Sequence, residues 1–251
     1  MSKVYEALQR AREERNLLGD RIEGNALVRG RKPEIVNIEG LPPLRMEKEM
    51  GRLFRNITGL LPDLQRGIIQ FIGSRKQEGT STILREFGLF VSVHMNKSVL
   101  IIEADASQVS QHQAFGVHPK ISLQRIMNEG GSLDEAVCQV KSSRVFLSRV
   151  CEDTPKSSRP EYFLNHAEIW SKLRKSFDFV LIDSPSLTSS DNALAQCAFA
   201  DGVLLIVEAE KTRSQVALNL KARVIQAGGN VLGVVFNKQR QYIPQWIYKR
   251  L

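Results

Sequence analysis

Apolar and polar positions change period along this chain, and the changes mark its elements. Near the start, Val4, Leu8 and Ala11 fall at i, i+4 and i+7 among Arg and Glu, predicting a short amphipathic helix over residues 2–16. Gly19, Gly24, Gly30, Pro33, Gly40, Pro42 and Pro43 then break any period, so this stretch reads as a linker. A second helix is expected over about residues 45–60. Beyond it, apolar runs of strand length alternate with helical spacing. Strands are expected over 67–73, 98–103, 144–149, 178–183, 202–207 and 231–237. Helices are expected over 81–94, 121–129, 161–175 and 212–226. The runs VLII, FVLI, VLLIV and VLGVVF are unbroken, which implies burial on both faces of a parallel sheet. The order is that of a doubly wound α/β fold: a mostly parallel sheet with helices on both faces, preceded by N-terminal helices.

Composition and charge narrow the reading. A chain of 251 residues can bury one large core. No apolar run approaches the roughly 20 residues of a bilayer span, and Met1-Ser2-Lys3 opens a charged helix with no apolar signal-peptide core. A cytoplasmic protein is therefore expected. The net charge of +8 raises nucleic acid or an anionic surface. The basic residues are spread out, however, with no tight cluster and no interleaved aromatics, so no nucleic-acid partner is expected. Cys138, Cys151 and Cys197 form no C-x-x-C pair and carry neither a disulfide framework nor a zinc signature. His112 and His118 fall in an expected loop and read as solvated.

In folds of this order, ligands bind beyond the carboxyl ends of the strands. After the first strand come Gly73, then Ser74, Arg75, Lys76, Gln77, Glu78, Gly79, Thr80, Ser81 and Thr82. Helical spacing then begins with Ile83, Leu84 and Phe87. A strand, a glycine-bearing polar loop and a helix start wrap backbone N–H groups around phosphate. Against G-x-x-x-x-G-K-[ST], Gly79 is the second glycine, Ser74 holds the first position and Ser81 the magnesium-ligand position. Thr80 stands where the lysine belongs, and a threonine offers a neutral hydrogen bond but no charge. An ordinary strand-to-helix turn is the competing reading.

The second strand ends Glu103-Ala104-Asp105. Two carboxylates at i and i+2 point the same way on a strand, so they are expected to face one crevice, on a magnesium-bound water or as a base. The fourth strand ends FVLI-Asp183, an apolar strand closing on a carboxylate suited to magnesium. A turn or cap role is the alternative for each. The last strand ends Phe236-Asn237-Lys238, where the Asn237 amide is placed to meet an adenine edge.

At these loops the chain resembles the bacterial tyrosine kinases of capsule and exopolysaccharide systems, cytoplasmic P-loop proteins related to the partition and division-site ATPases. The resemblance rests on SKVYEALQRA, FDFVLIDSPS with the following Asp191, ADGVLLIVEAEKTR and VLGVVFN. Glu49, Arg52 and Arg55 match the family's E-x-x-R-x-x-R helix, which joins subunits into rings. The resemblance implies three parts: residues 1–62 as N-terminal helices and linker for assembly and partner contact, 63–240 as the P-loop nucleotide-binding domain, and 241–251 as a tail. It also implies ATP and Mg2+ as cofactors, with Asp105 as the base and Ser81, Asp105 and Asp183 around the metal. A homo-oligomer and a membrane polysaccharide co-polymerase or chain-length protein follow as partners, with recruitment to the inner face of the membrane.

The departures bear on catalysis. Besides Thr80, the family's D-x-D-x-R reads Glu103, Asp105 and Ser107 here, and the tyrosine-rich tail is reduced to Tyr242 and Tyr248 as phosphoacceptors. Arg75 occupies the place of an extra lysine in related ATPases, with Lys76 beside it. Either could partly replace the lost lysine, or both could be solvated loop charges. Three functions therefore stand: an active ATP-dependent autokinase or ATPase, an inactive nucleotide-binding scaffold, and a partition-type ATPase.

Overall fold

The computed structural model describes residues 41–62, 66–105, 110–151, 167–189, 191–194 and 196–239. The expected helix over 2–16, Ser107, Tyr242 and Tyr248 lie outside the described residues.

Seven strands form one sheet: β1 (Gly67–Gly73), β2 (Val99–Glu103), β3 (Cys138–Gln139), β4 (Val145–Arg149), β5 (Phe179–Asp183), β6 (Gly202–Glu208) and β7 (Val231–Asn237). Their order is β3-β4-β2-β5-β1-β6-β7, and every pairing is parallel except β3 with β4. The α/β expectation is met. The short antiparallel β3 was not expected, since two residues carry no period. The helices are α1 (Glu47–Leu60), α2 (Thr80–His94), α3 (Gln111–Phe115), α4 (Leu123–Glu129), α5 (Leu133–Ala136), α6 (Ala167–Ser176) and α7 (Ser214–Gln226).

Every residue of β1, β2 and β5 is buried, as strands covered on both faces require. Alternate residues serve opposite layers. Ile69, Phe71, Ile101 and Leu181 pack with Met50 and Ile57 of α1 and with Leu84 and Phe87 of α2. Ile68, Leu100, Ile102 and Val180 pack with Leu123 of α4 and with Trp170 and Leu173 of α6. Ile72 and Leu205 meet Leu220 and Val224 of α7. The expectation fails at β7. Its apolar run lies at the sheet edge, half-buried, with Val234 39% and Phe236 67% exposed. An unbroken apolar run does not distinguish an edge strand from a central one.

Helix α1 is held at its start by its neighbour. The buried Glu86 of α2 accepts the Arg45 and Met46 N–H groups through Oε2, at 2.8 and 3.0 Å. These donors precede the first turn, where a helix needs acceptors. Met50, Gly51 and Ile57 face inward, while Glu49, Arg52 and Arg55 are exposed on the other side. No helix among the described residues is long and apolar enough to cross a membrane.

Candidate functional site

The loop between β1 and α2 is folded around a buried carboxylate. Glu78 accepts the Ser74 hydroxyl on Oε1 at 2.8 Å and the Arg75 N–H on Oε2 at 2.9 Å. The Thr212 hydroxyl, from the segment after β6, also donates to Oε1. Ser74 and Glu78, both expected at a phosphate, thus spend their side chains shaping the loop. Gln77 and Gly79 adopt left-handed backbones, φ 66° and 93°. Alternation of this kind lines up N–H groups as an anion nest. Thr80 turns its hydroxyl toward the end of β1: a Cβ on Gly73 would lie 2.7 Å from Thr80 Oγ1.

A cleft of about 310 Å³ opens beside this loop. Arg75, Lys76, Gln77, Gly79, Thr80, Ser81 and Thr82 line it from the loop and the start of α2. Arg85, Asp105, Ser110, Ser184, Ser186 and Lys238 complete it. Four cations face one carboxylate around this space, which favours an anionic ligand. A larger apolar groove between α1 and β7, about 420 Å³, lies apart from these groups.

Behind Ser81 and next to Ser184, which line the cleft, Asp183 is buried at the end of β5. Its Oδ2 accepts the Gln111 amide at 2.7 Å, and the Ser81 hydroxyl also hydrogen-bonds to it. Burial pushes the Asp183 carboxyl up to about 7, against those two hydrogen bonds and with help from the charges of Glu103 and Asp105. Gln111 Nε2 also donates to the Ser81 carbonyl at 2.9 Å, and its Oε1 accepts from Arg85 at 3.3 Å.

The expectation that Glu103 and Asp105 share one crevice fails. β2 ends at Glu103, so the alternation of a strand no longer governs Asp105. Asp105 lines the cleft. Glu103 is buried, accepts the Ser110 and Gln111 N–H groups on Oε1, and pairs through Oε2 with His112 Nδ1. Both of its oxygens are engaged within the chain, so its place is to fix the start of α3. The solvated-loop reading of His112 is corrected by the same contact: His112 is 2% exposed, in α3, stacked on the exposed His118. Asn237 also has intrachain partners: Nδ2 donates to the Glu78 carbonyl at 2.8 Å and Oδ1 accepts the Lys238 N–H at 2.9 Å.

Sequence reasoning missed Gln111, Arg85, Ser184, Ser186 and Lys238. Ser184 and Ser186 directly follow the recognised Asp183, and Arg85 lies one helical turn after Ser81, so spacing alone could have found these three. Gln111 and Lys238 reach the site through contacts distant in sequence, which no local pattern reports.

The residues present fit magnesium bound together with phosphates. Ser81, Asp105 and Asp183 offer hard oxygen donors, and Ser81 already touches Asp183. No group of three or more His, Cys, Asp or Glu among the described residues could hold a metal ion. That suits a cation that takes few protein ligands and completes its shell with phosphate and water.

No family model matches the chain. The putative tyrosine-protein kinase CapB of Staphylococcus aureus is 25% identical over 170 residues, covering 66% of this chain and 73% of CapB. Tyrosine-protein kinase YwqD of Bacillus subtilis is 24% identical over 202 residues, covering 79% and 84%. The chain is a relative of the bacterial tyrosine kinases. A longer relative, the succinoglycan biosynthesis transport protein ExoP of Rhizobium meliloti, is 22% identical over 182 residues, which are 71% of this chain and 23% of ExoP. Among solved structures, the kinase domain of the Escherichia coli tyrosine kinase ETK superposes with a TM-score of 0.68 at 16% identity, covering 79% of this chain and 78% of that one. The septum site-determining protein MinD of Pyrococcus horikoshii, complexed with Mg-ADP, gives a TM-score of 0.57 at 19% identity, covering 74% and 76%. These two likenesses show the α/β fold that the chain shares with both proteins.

Proposed function

We propose that the chain binds a nucleoside di- or triphosphate with magnesium in the cleft beside the β1–α2 loop, and acts chiefly as a regulatory component of exopolysaccharide or capsule biosynthesis. The observation carrying this reading is the mismatch within the site. The loop, the Ser81–Asp183 contact and the cationic rim suit phosphate, while the lysine position holds Thr80 with its hydroxyl against Gly73. Bound magnesium would neutralise phosphate charge and polarise the terminal phosphoryl group. The chain's own part is to hold the phosphates at the loop N–H groups and to place Ser81 and Asp183 beside them. Without a lysine on the transferring phosphoryl group, binding outlasts transfer.

Autokinase activity is the second reading, and the position of Asp105 on the cleft favours it. The two readings separate on incubation with Mg-ATP followed by mass spectrometry. Little or no phosphate is expected on Tyr242 or Tyr248. Stoichiometric phosphate on either restores the kinase.

The chain works in the cytoplasm, held at the membrane's inner face by a co-polymerase or chain-length protein. ExoP supports this, since its name joins a related segment to polysaccharide transport. Subunits associate through the exposed face of α1. Glu49, Arg52 and Arg55 stand clear of the core there, and Arg suits two-pronged pairing with a neighbour's carboxylate. Arg52→Ala with Arg55→Ala should lower the oligomer size in light scattering while leaving the circular dichroism spectrum unchanged. A wild-type protein that stays monomeric at high concentration, even with its membrane partner's cytoplasmic segment added, contradicts this.

A further inference from the structure

Asn237, the last residue of β7, and Lys238 directly after it both turn onto the β1–α2 loop. Asn237 Nδ2 holds the Glu78 carbonyl at 2.8 Å, and Lys238 Nζ holds the Gln77 carbonyl at 2.6 Å. The grips fall on consecutive peptides of the loop. Lys238 takes a left-handed backbone, φ 57°, which is uncommon for a side chain of its kind and persists only where the surroundings fix it. Here they do: its N–H bonds Asn237 Oδ1, and its ammonium also pairs with Glu208 at 3.3 Å. On the loop side, the close approach needs a glycine. A Cβ at Gly79 would lie 2.1 Å from Asn237 Nδ2.

The consequence follows from peptide geometry. No cis peptide occurs among the described residues, and in a trans peptide the C=O and the N–H point in opposite directions. The Gln77 carbonyl shares its peptide with the Glu78 N–H, and the Glu78 carbonyl shares its peptide with the Gly79 N–H. Drawing both carbonyls toward β7 turns both N–H groups away from it. Gln77 and Gly79 are left-handed on either side of Glu78, which is not, and this alternation gathers successive N–H groups on one side.

We propose that Asn237 and Lys238 form a clamp that sets the phosphate loop from outside, aiming the Glu78 and Gly79 N–H groups at a bound phosphate, with the Lys238 ammonium adding at the rim a positive charge that Thr80 does not supply. Lys238 is thus a positioning residue for the phosphates. This rests on the nucleotide reading of the cleft. It also explains how a loop with Thr80 at the lysine position keeps its shape: one cation just past the last strand takes a loop carbonyl directly.

Lys238→Met keeps the stem and removes the donor, and Lys238→Arg restores a donor and the charge. With both variants confirmed as folded by circular dichroism, calorimetric titration with ADP should show Lys238→Met binding about tenfold more weakly than wild type, the loss of one charge-assisted contact. Lys238→Arg should recover most of that loss. Adenosine, which has no phosphate, should bind all three proteins alike. A role in nucleobase stacking would instead weaken adenosine and ADP together. A second readout needs no nucleotide: trypsin should cut after the exposed Arg75 and Lys76 severalfold faster in Lys238→Met, followed by mass spectrometry of those peptides. Equal ADP affinity in Lys238→Met and wild type overturns the clamp. If wild type binds neither ADP nor pyrophosphate, the nucleotide reading fails, and an unchanged trypsin rate then overturns the clamp as well.

Discussion

Asp183→Asn is expected to raise the thermal stability of the protein at pH 8 and to lose that advantage as the pH falls toward 4. The buried carboxyl has its pKa pushed up to about 7 from an ordinary 3.8, chiefly by burial. Between those two values the folded state holds a proton that the unfolded state has released. Stability contributed by the protonated form is therefore full below about pH 4, falls as the pH rises, and is gone above about 7. Asparagine does not titrate and keeps an oxygen for the Gln111 amide, with the Ser81 hydroxyl beside it to accept from its nitrogen. The gap between variant and wild type should open across that window and then level off. Linkage sets the plateau on the order of 2–4 kcal/mol, or roughly 5–10 °C in Tm for a domain of this size. Scanning calorimetry with EDTA and without nucleotide, at several pH values from 4 to 8, reads it directly. A gap that is the same at every pH would mean that Asp183 titrates normally. The same variant should lose any magnesium-dependent gain in nucleotide affinity. The stability cost of Asp183 is thus what a buried functional carboxylate carries.

Thr80→Lys is expected to tighten Mg-ATP binding. A charge-assisted contact contributes about 1.5–3 kcal/mol, which is roughly a ten- to hundredfold change in affinity. The lower end is the expectation here. Arg75, Lys76, Arg85 and Lys238 already line the cleft, and a fifth cation is repelled by them until phosphate arrives. Adenosine affinity should not change. If ATP binding stays where it was, the triphosphate does not reach the start of α2, and the charge at position 80 is irrelevant to this protein.

Much of the fold was legible because buried parallel strands announce themselves as unbroken apolar runs. The first and last strands ended where the sequence put them, at Gly67–Gly73 and Val231–Asn237. The loop Ser74–Thr82 and Asp183 were legible because strand ends carry the chemistry in this architecture. What was not legible depends on contacts distant in sequence. Glu103 looked like a carboxylate facing the crevice with Asp105, on a magnesium-bound water or as a base, yet His112 and the start of α3 occupy both its oxygens. Gln111 gave no signal at all, although its amide joins Ser81, Asp183 and Arg85. β7 read as buried on both faces, because hydropathy along a chain does not say whether the strand lies at the sheet edge. The Asn237–Lys238 pair was visible as polar residues at a strand end, but its grip on two loop carbonyls is a property of the folded backbone.

Calorimetric titration of the wild-type protein with Mg-ATP and with Mg-ADP tests the central claim most directly. The account expects saturable one-to-one binding that weakens when EDTA removes the magnesium, weakens in Lys238→Met and tightens in Thr80→Lys. No saturable binding of either nucleotide at millimolar concentration, in wild type and Thr80→Lys alike, would contradict it.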